Sequence, residues 1–155
     1  MIGKVKNFLG IESVKINLDI PESIPYDIDF IAGKIILTSK SNQTVKSITI
    51  KLIERYSRGR GRNKLINEYV AGIVEFKKPF KIRAGKEEIF QFEMPVKIQQ
   101  SEMDKLGDKN ILTKGFVKLA KLFSNVKSDF RMEAMAKVAG NAIPPMTKRV
   151  VNVKF

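Results

Sequence analysis

The sequence predicts a mainly β protein, an antiparallel β-sandwich with one helical insertion. Three observations carry that prediction. Ile48, Ile50 and Leu52 alternate with Ser47, Thr49 and Lys51, the period of a half-buried strand whose side chains point to opposite faces in turn. The same period returns at Phe90, Phe92 and Met94, at Phe130 to Val138, and at Val151 to Phe155. Between these stretches lie turn residues and no strict strand–helix alternation, the pattern of a sandwich rather than of a parallel sheet.

Taken in order, the first ten residues place Ile2, Val5, Phe8 and Leu9 at helical spacing around Lys4 and Lys6. So short an amphipathic turn is marginal alone and is expected to pack on the domain, with contact to a membrane as the alternative. Val14, Ile16, Leu18 and Ile20 alternate with polar neighbours and form a first strand, and Pro21 and Pro25 frame a loop. A second strand is expected over 30–38, with Gly33 as a bulge or a point of close approach. The polar turn 39–43 then leads into the central strand, from Val45 to Tyr56.

A second apolar run occupies residues 65–76, so the two runs read as long antiparallel strands. Between them Arg58, Arg60 and Arg62 alternate with Gly59 and Gly61 and offer nothing apolar to bury, which predicts a mobile basic loop. Pro79 interrupts the chain before Phe80 and Ile82, and the turn 83–86 contains Gly85. The character changes at Ser101, where Ser101 and Asp104 fit a helix-capping pattern. Phe116, Leu119, Ala120 and Phe123 share one helical face, with Lys114, Lys118 and Lys121 elsewhere on the surface. The helical insertion is therefore expected at about 101–123, within a single domain over residues 1–155.

Composition bounds the function. The 155 residues are 43% hydrophobic and 29% charged, as in an ordinary globular protein. There is no Cys, which removes disulfides and thiol chemistry, and no His, which removes the commonest general base and metal ligand. Glu54, Glu68, Glu75, Glu87, Glu88, Glu93 and Asp104 are read as solvated side chains at strand turns or a helix start. The expectation is a non-enzyme without cofactor or metal. The N-terminus lacks a secretory signal and the N-myristoylation pattern, so a cytoplasmic location is expected.

The net charge of +13 attracts acidic protein segments, anionic membrane surfaces or nucleic acid. Its densest placement is Arg55, Arg58, Arg60, Arg62 and Lys64, proposed from sequence as the partner- or anion-binding site. The second candidate is the amphipathic helix bearing Lys114, Phe116, Lys118, Leu119, Lys121 and Phe123, either docked on a sheet or laid on a membrane. Nucleic acid is the alternative partner, suggested by the Arg–Gly alternation and weakened by the scarcity of aromatic neighbours, Tyr56 alone before Tyr69. Oligomeric state is not legible in the sequence.

Gly85 followed by Phe90, Phe92, Met94 and Pro95 is similar to the glycine turn, alternating phenylalanines and proline of arrestin-like N-terminal domains. Residues 37–48, 52–61, 101–104, 114–122 and 126–134 extend a resemblance to the bacterial sporulation-control protein family, an arrestin-like group. The resemblance implies an immunoglobulin-like sandwich acting as a non-catalytic adaptor or regulator. In that family a second sandwich follows the first. This sequence carries one, as a short member or as part of a longer chain, and the arrestins' buried charged core finds no matching positions in it.

Overall fold

The computed structural model describes residues 14–58, 65–98 and 127–154. Among the described residues nine strands make two sheets: β1 (Lys15–Asp19), β2 (Ser23–Pro25), β3 (Phe30–Thr38), β4 (Gln43–Arg58), β5 (Leu65–Phe76), β6 (Phe80–Ile82), β7 (Glu87–Pro95), β8 (Lys127–Val138) and β9 (Met146–Lys154). The smaller sheet has the order β1-β3-β7, and the larger has β2-β9-β8-β4-β5 with β6 also paired to β4. The mainly β fold agrees with the sequence reading. The helical insertion expected at about 101–123 and the N-terminal amphipathic turn lie outside the described residues.

Burial follows the alternation. In the small sheet Ile16, Leu18, Ile31, Ile35, Leu37, Phe92 and Met94 turn inward, and the registers Leu18↔Ile35 and Gly33↔Phe92 place them side by side. In the large sheet Ile48, Ile50 and Leu52 of β4 and Met132, Ala134 and Ala136 of β8 are fully buried. Both sets belong to one hydrophobic cluster, so the core lies between the sheets. Alanines on β8 facing branched residues on β4, as at Ile48↔Ala136 and Ile50↔Ala134, let the second layer approach closely.

Two bulges adjust the long strands. On β4 the register passes from Val45↔Val138 to Ser47↔Lys137, leaving Lys46 as the extra residue. Val45 and Ile48 are three apart and out of phase for a regular strand, yet both are buried, because the bulge resets the pleat. On β5 the register passes from Leu52↔Gly72 to Ile53↔Val70, leaving Ala71 extra. Its carbonyl accepts a hydrogen bond from the Lys97 N–H at 2.8 Å, which ties the chain leaving β7 to the large sheet.

Two features were not read from the sequence. The stretch between Pro21 and Pro25, expected as a loop, contains β2, which pairs in parallel with β9 through Ser23↔Asn152 and Ile24↔Val153. Proline is tolerated because β2 is three residues long and lies at the sheet edge. Glu54, read as solvated, is fully buried on the core face of β4 with Leu52 and Tyr56. Gly33 is a close-approach point, as expected: a Cβ there would come within 2.7 Å of the Phe92 ring.

Candidate functional site

The proposed basic site sits at the far end of the β4–β5 hairpin. β4 and β5 stay in antiparallel register to their last pair, Arg58↔Leu65, so the six residues 59–64 close the hairpin. Arg60, Arg62 and Lys64 belong to that closure and lie outside the described residues. Arg58 ends β4, and the structure fixes its backbone. The expected loop mobility also falls outside the described residues, as does the helix with Lys114, Phe116, Lys118, Leu119, Lys121 and Phe123.

Arg55 is placed differently from its neighbours in sequence. It is exposed on the outer face of β4, in register with Glu68 of β5 on one side and Asp129 of β8 on the other. Two carboxylates therefore flank it. Beside it Arg131 of β8 donates from Nη1 to Glu68 at 3.0 Å and from Nε to Glu133 at 2.7 Å, and Lys148 of β9 approaches Glu133 at 3.8 Å. Signs alternate along two cross-strand rows, Glu68–Arg55–Asp129 over β5, β4 and β8, and Lys51–Glu133–Lys148 over β4, β8 and β9. The hydrogen bond from Arg131 holds the Glu68 carboxyl below its usual range, and the bonds to Glu68 and Glu133 raise Arg131 further above a guanidinium's ordinary value. Arg55 thus belongs to a balanced surface network, whereas Arg58, Arg60, Arg62 and Lys64 run on without a carboxylate.

That network has a pH signature. A carboxylate whose pKa is lowered by folding stabilises the fold above its ordinary range, and the contribution disappears as pH falls through the lowered value. Glu68→Gln should therefore lower Tm slightly at pH 7 and flatten the loss of Tm on acidification below about 4.5, the ordinary carboxylate value. Thermal scans of both proteins across that range check it. A parallel acid limb in the variant would remove Glu68 as a source.

On the core face of the same hairpin half, Tyr56 is nearly buried, and its ring meets Tyr69 edge to face at 6.4 Å between centroids. Glu54 lies in register with Tyr69 and Phe130. The sequence reading missed this polar end of the core. Its signal was available, because Glu54 shares the parity of Ile48, Ile50 and Leu52. Among the described residues no group of three or more Asp or Glu is placed to hold a metal ion, and no helix is long and apolar enough to cross a membrane.

Two β-sheets packed around one hydrophobic cluster define a β-sandwich. The sequence profile of the SpoOM protein (Spo0M) family matches residues 2–114, and the chain belongs to that family. Its fold is similar to the crystal structure of Spo0M, the sporulation control protein of Bacillus subtilis, with a TM-score of 0.62 and 14% identity over 92% of this chain. The chain spans about half of that protein, 49% of its length, and at such identity the likeness concerns the fold. A search of curated proteins found no match.

Proposed function

We propose that the protein is a non-catalytic, arrestin-like adaptor of the sporulation-control type that captures an acidic protein partner through the β4–β5 hairpin end. One observation carries this reading. Residues 57–64 hold four basic side chains and no acidic one, at the end of a hairpin whose strands run to 16 and 12 residues. Arginine forks suit carboxylates, and glycine on either side of Arg60 lets the backbone adapt to what it binds. Nucleic acid is the weaker reading. Stacking needs a platform of exposed aromatic rings, and of the two tyrosines described on this hairpin Tyr56 is 5% exposed, leaving Tyr69, 39% exposed, as a single ring.

The test replaces Arg58, Arg60 and Arg62 together with Ser. Tm should hardly move, since exposed charge changes are usually worth less than about 0.5 kcal/mol each. Capture of the partner from extracts of the native cell should weaken at low salt, and the difference should shrink at high salt as screening takes over. Nuclease treatment should leave capture intact, and random single-stranded DNA should bind no tighter than about 10⁻⁴–10⁻⁶ M at physiological salt. Full capture by the triple variant would move the site away from the hairpin. Sub-micromolar DNA or RNA binding at that salt would favour nucleic acid instead.

A further inference from the structure

The positive charge has a second concentration, at the opposite end of the sandwich. β4 runs 16 residues from Gln43 to Arg58, so its two ends are separated by on the order of 50 Å, far beyond the ~8 Å over which exposed charges interact at physiological salt. At the Gln43 end three segments meet. The turn 39–43 carries Lys40. It is bound to the next turn by the Gly85 N–H donating to the Ser39 carbonyl at 2.9 Å and the Ala84 N–H donating to Asn42 Oδ1 at 2.8 Å. The β8–β9 turn joins them through the Ala139 N–H, which donates to the Thr44 carbonyl at 2.8 Å.

The charged residues of these segments are mostly cationic, with Glu75 and Glu88 adjoining them. Residues 39–47, 77–87 and 137–145 contain eight lysines and arginines against one carboxylate, Glu87. Lys81 and Arg83 flank the inward-pointing Ile82 of β6, so both turn outward, and with Asn42 and Thr44 they line a cleft of about 330 Å³. Lys46 stands exposed at the β4 bulge, with Lys137 across the ladder from Ser47. Lys77 and Lys78 form the turn beside it, where Lys77 meets Glu75 at 3.3 Å. The β8–β9 turn also carries an exposed apolar side chain, Ile143, 59% exposed between Gly140 and Pro145.

We propose that this pole docks on an anionic phospholipid bilayer. Charge complementarity names the occupant. A cationic surface spread over three loops matches a plane of phosphates, the cleft between Lys81 and Arg83 admits a headgroup phosphate, and Ile143 supplies an apolar tip for the interface. The backbone bonds between the loops hold the cations in place before contact, which lowers the ordering cost of binding. With the hairpin reading this makes the molecule two-ended, one end for an acidic protein and the other for a membrane. The two ends are tested separately.

The experiment is cosedimentation with phosphatidylcholine vesicles with and without phosphatidylglycerol. The wild type should bind the phosphatidylglycerol vesicles alone, and less as salt rises. Each basic side chain near such a surface contributes about fivefold to partitioning. Replacing Lys40, Lys46, Lys81 and Arg83 with Ser should therefore cut binding by about a hundredfold or more, and Ile143→Ser should weaken it further without changing its salt dependence. All five side chains are exposed, and circular dichroism confirms that the variants fold. The Arg58, Arg60 and Arg62 triple variant should keep its vesicle binding. No binding at low salt, or binding that survives the fourfold change, overturns the proposal. So does saturable binding of inorganic phosphate without vesicle sedimentation, which would make the cleft a small-anion site. Binding lost only in the hairpin variant would return the lipid contact to the other end.

Discussion

Leu52→Ala should destabilise the protein by about 2–5 kcal/mol, the usual range for emptying a core leucine. Leu52 is fully buried in the middle of β4, in register with Gly72 on β5 and Met132 on β8. Both neighbouring strands are hydrogen-bonded to β4, so neither can move sideways into the space without breaking its ladder. Gly72 offers no side chain to fill it, and Met132 is committed to the same core. The cavity should persist, which puts the cost in the upper half of the range. For a chain of this size that corresponds to a fall in Tm of roughly 7–20 °C. Lys51→Ala, one residue away on the outer face, should stay within about 0.5 kcal/mol. Calorimetric scans of the two variants check the contrast. Equal effects would mean that the two faces of β4 are assigned wrongly.

That contrast shows how far the sequence could be read. The period of two located β1, β4, β7, β8 and β9, where a core face alternates with an outer one, whereas β5 was read as an apolar run and does not alternate: residues 66–70 are all exposed and Ala71 and Gly72 are both buried. β2 escaped because three residues between two prolines are too few to show a period, and its partner β9 is distant in sequence. The Lys46 bulge escaped for a related reason. A one-residue slip looks like noise in composition, and only the simultaneous burial of Val45 and Ile48 reveals it. Glu54 was misread because its chemistry was given more weight than its parity. A carboxylate is usually solvated, yet the position lies two residues beyond Leu52 on the buried face.

The candidate site was legible to a different degree. The run from Arg58 to Lys64 was visible as consecutive sequence, while the partial neutralisation of Arg55 depends on Glu68 and Asp129, which adjoin it only through sheet register. The opposite pole was not visible at all. Its cations come from three segments separated by 30 or more residues, and the hydrogen bonds from Gly85 to Ser39 and from Ala139 to Thr44 bring them together. Charge carried by one loop can be read along the chain, but charge assembled by topology requires the fold.

Gly72→Ala should also be destabilising, by about 1–3 kcal/mol, although glycine-to-alanine changes in a strand often help. Gly72 adjoins the β5 bulge but does not have a positive φ, so left-handed strain does not enter; space decides. A Cβ would stand 2.7 Å from the Met94 sulfur, 2.9 Å from Met94 Cγ and 2.7 Å from the Pro95 carbonyl oxygen. The methionine can re-rotate. The Pro95 carbonyl is main chain, held on one side by the Phe30↔Pro95 register and followed at once by the Val96 N–H to Asp29 and Lys97 N–H to Ala71 hydrogen bonds, at 2.9 and 2.8 Å. Relieving the clash means pushing the end of β7 away from β5, where the small sheet is fastened to the large one. The smaller entropy of the unfolded alanine chain returns only about 0.4–1 kcal/mol. Hydrogen exchange gives a local readout besides Tm: the Lys97 amide should lose protection in Gly72→Ala while the Ile50 amide keeps most of its own. Gly85→Ala has open space around its Cβ and a φ of +74°, so it should cost roughly 1–2 kcal/mol through the backbone alone and leave Lys97 protected. A Gly72→Ala variant that melts higher than the wild type would show that β5 and β7 are not in contact at this point.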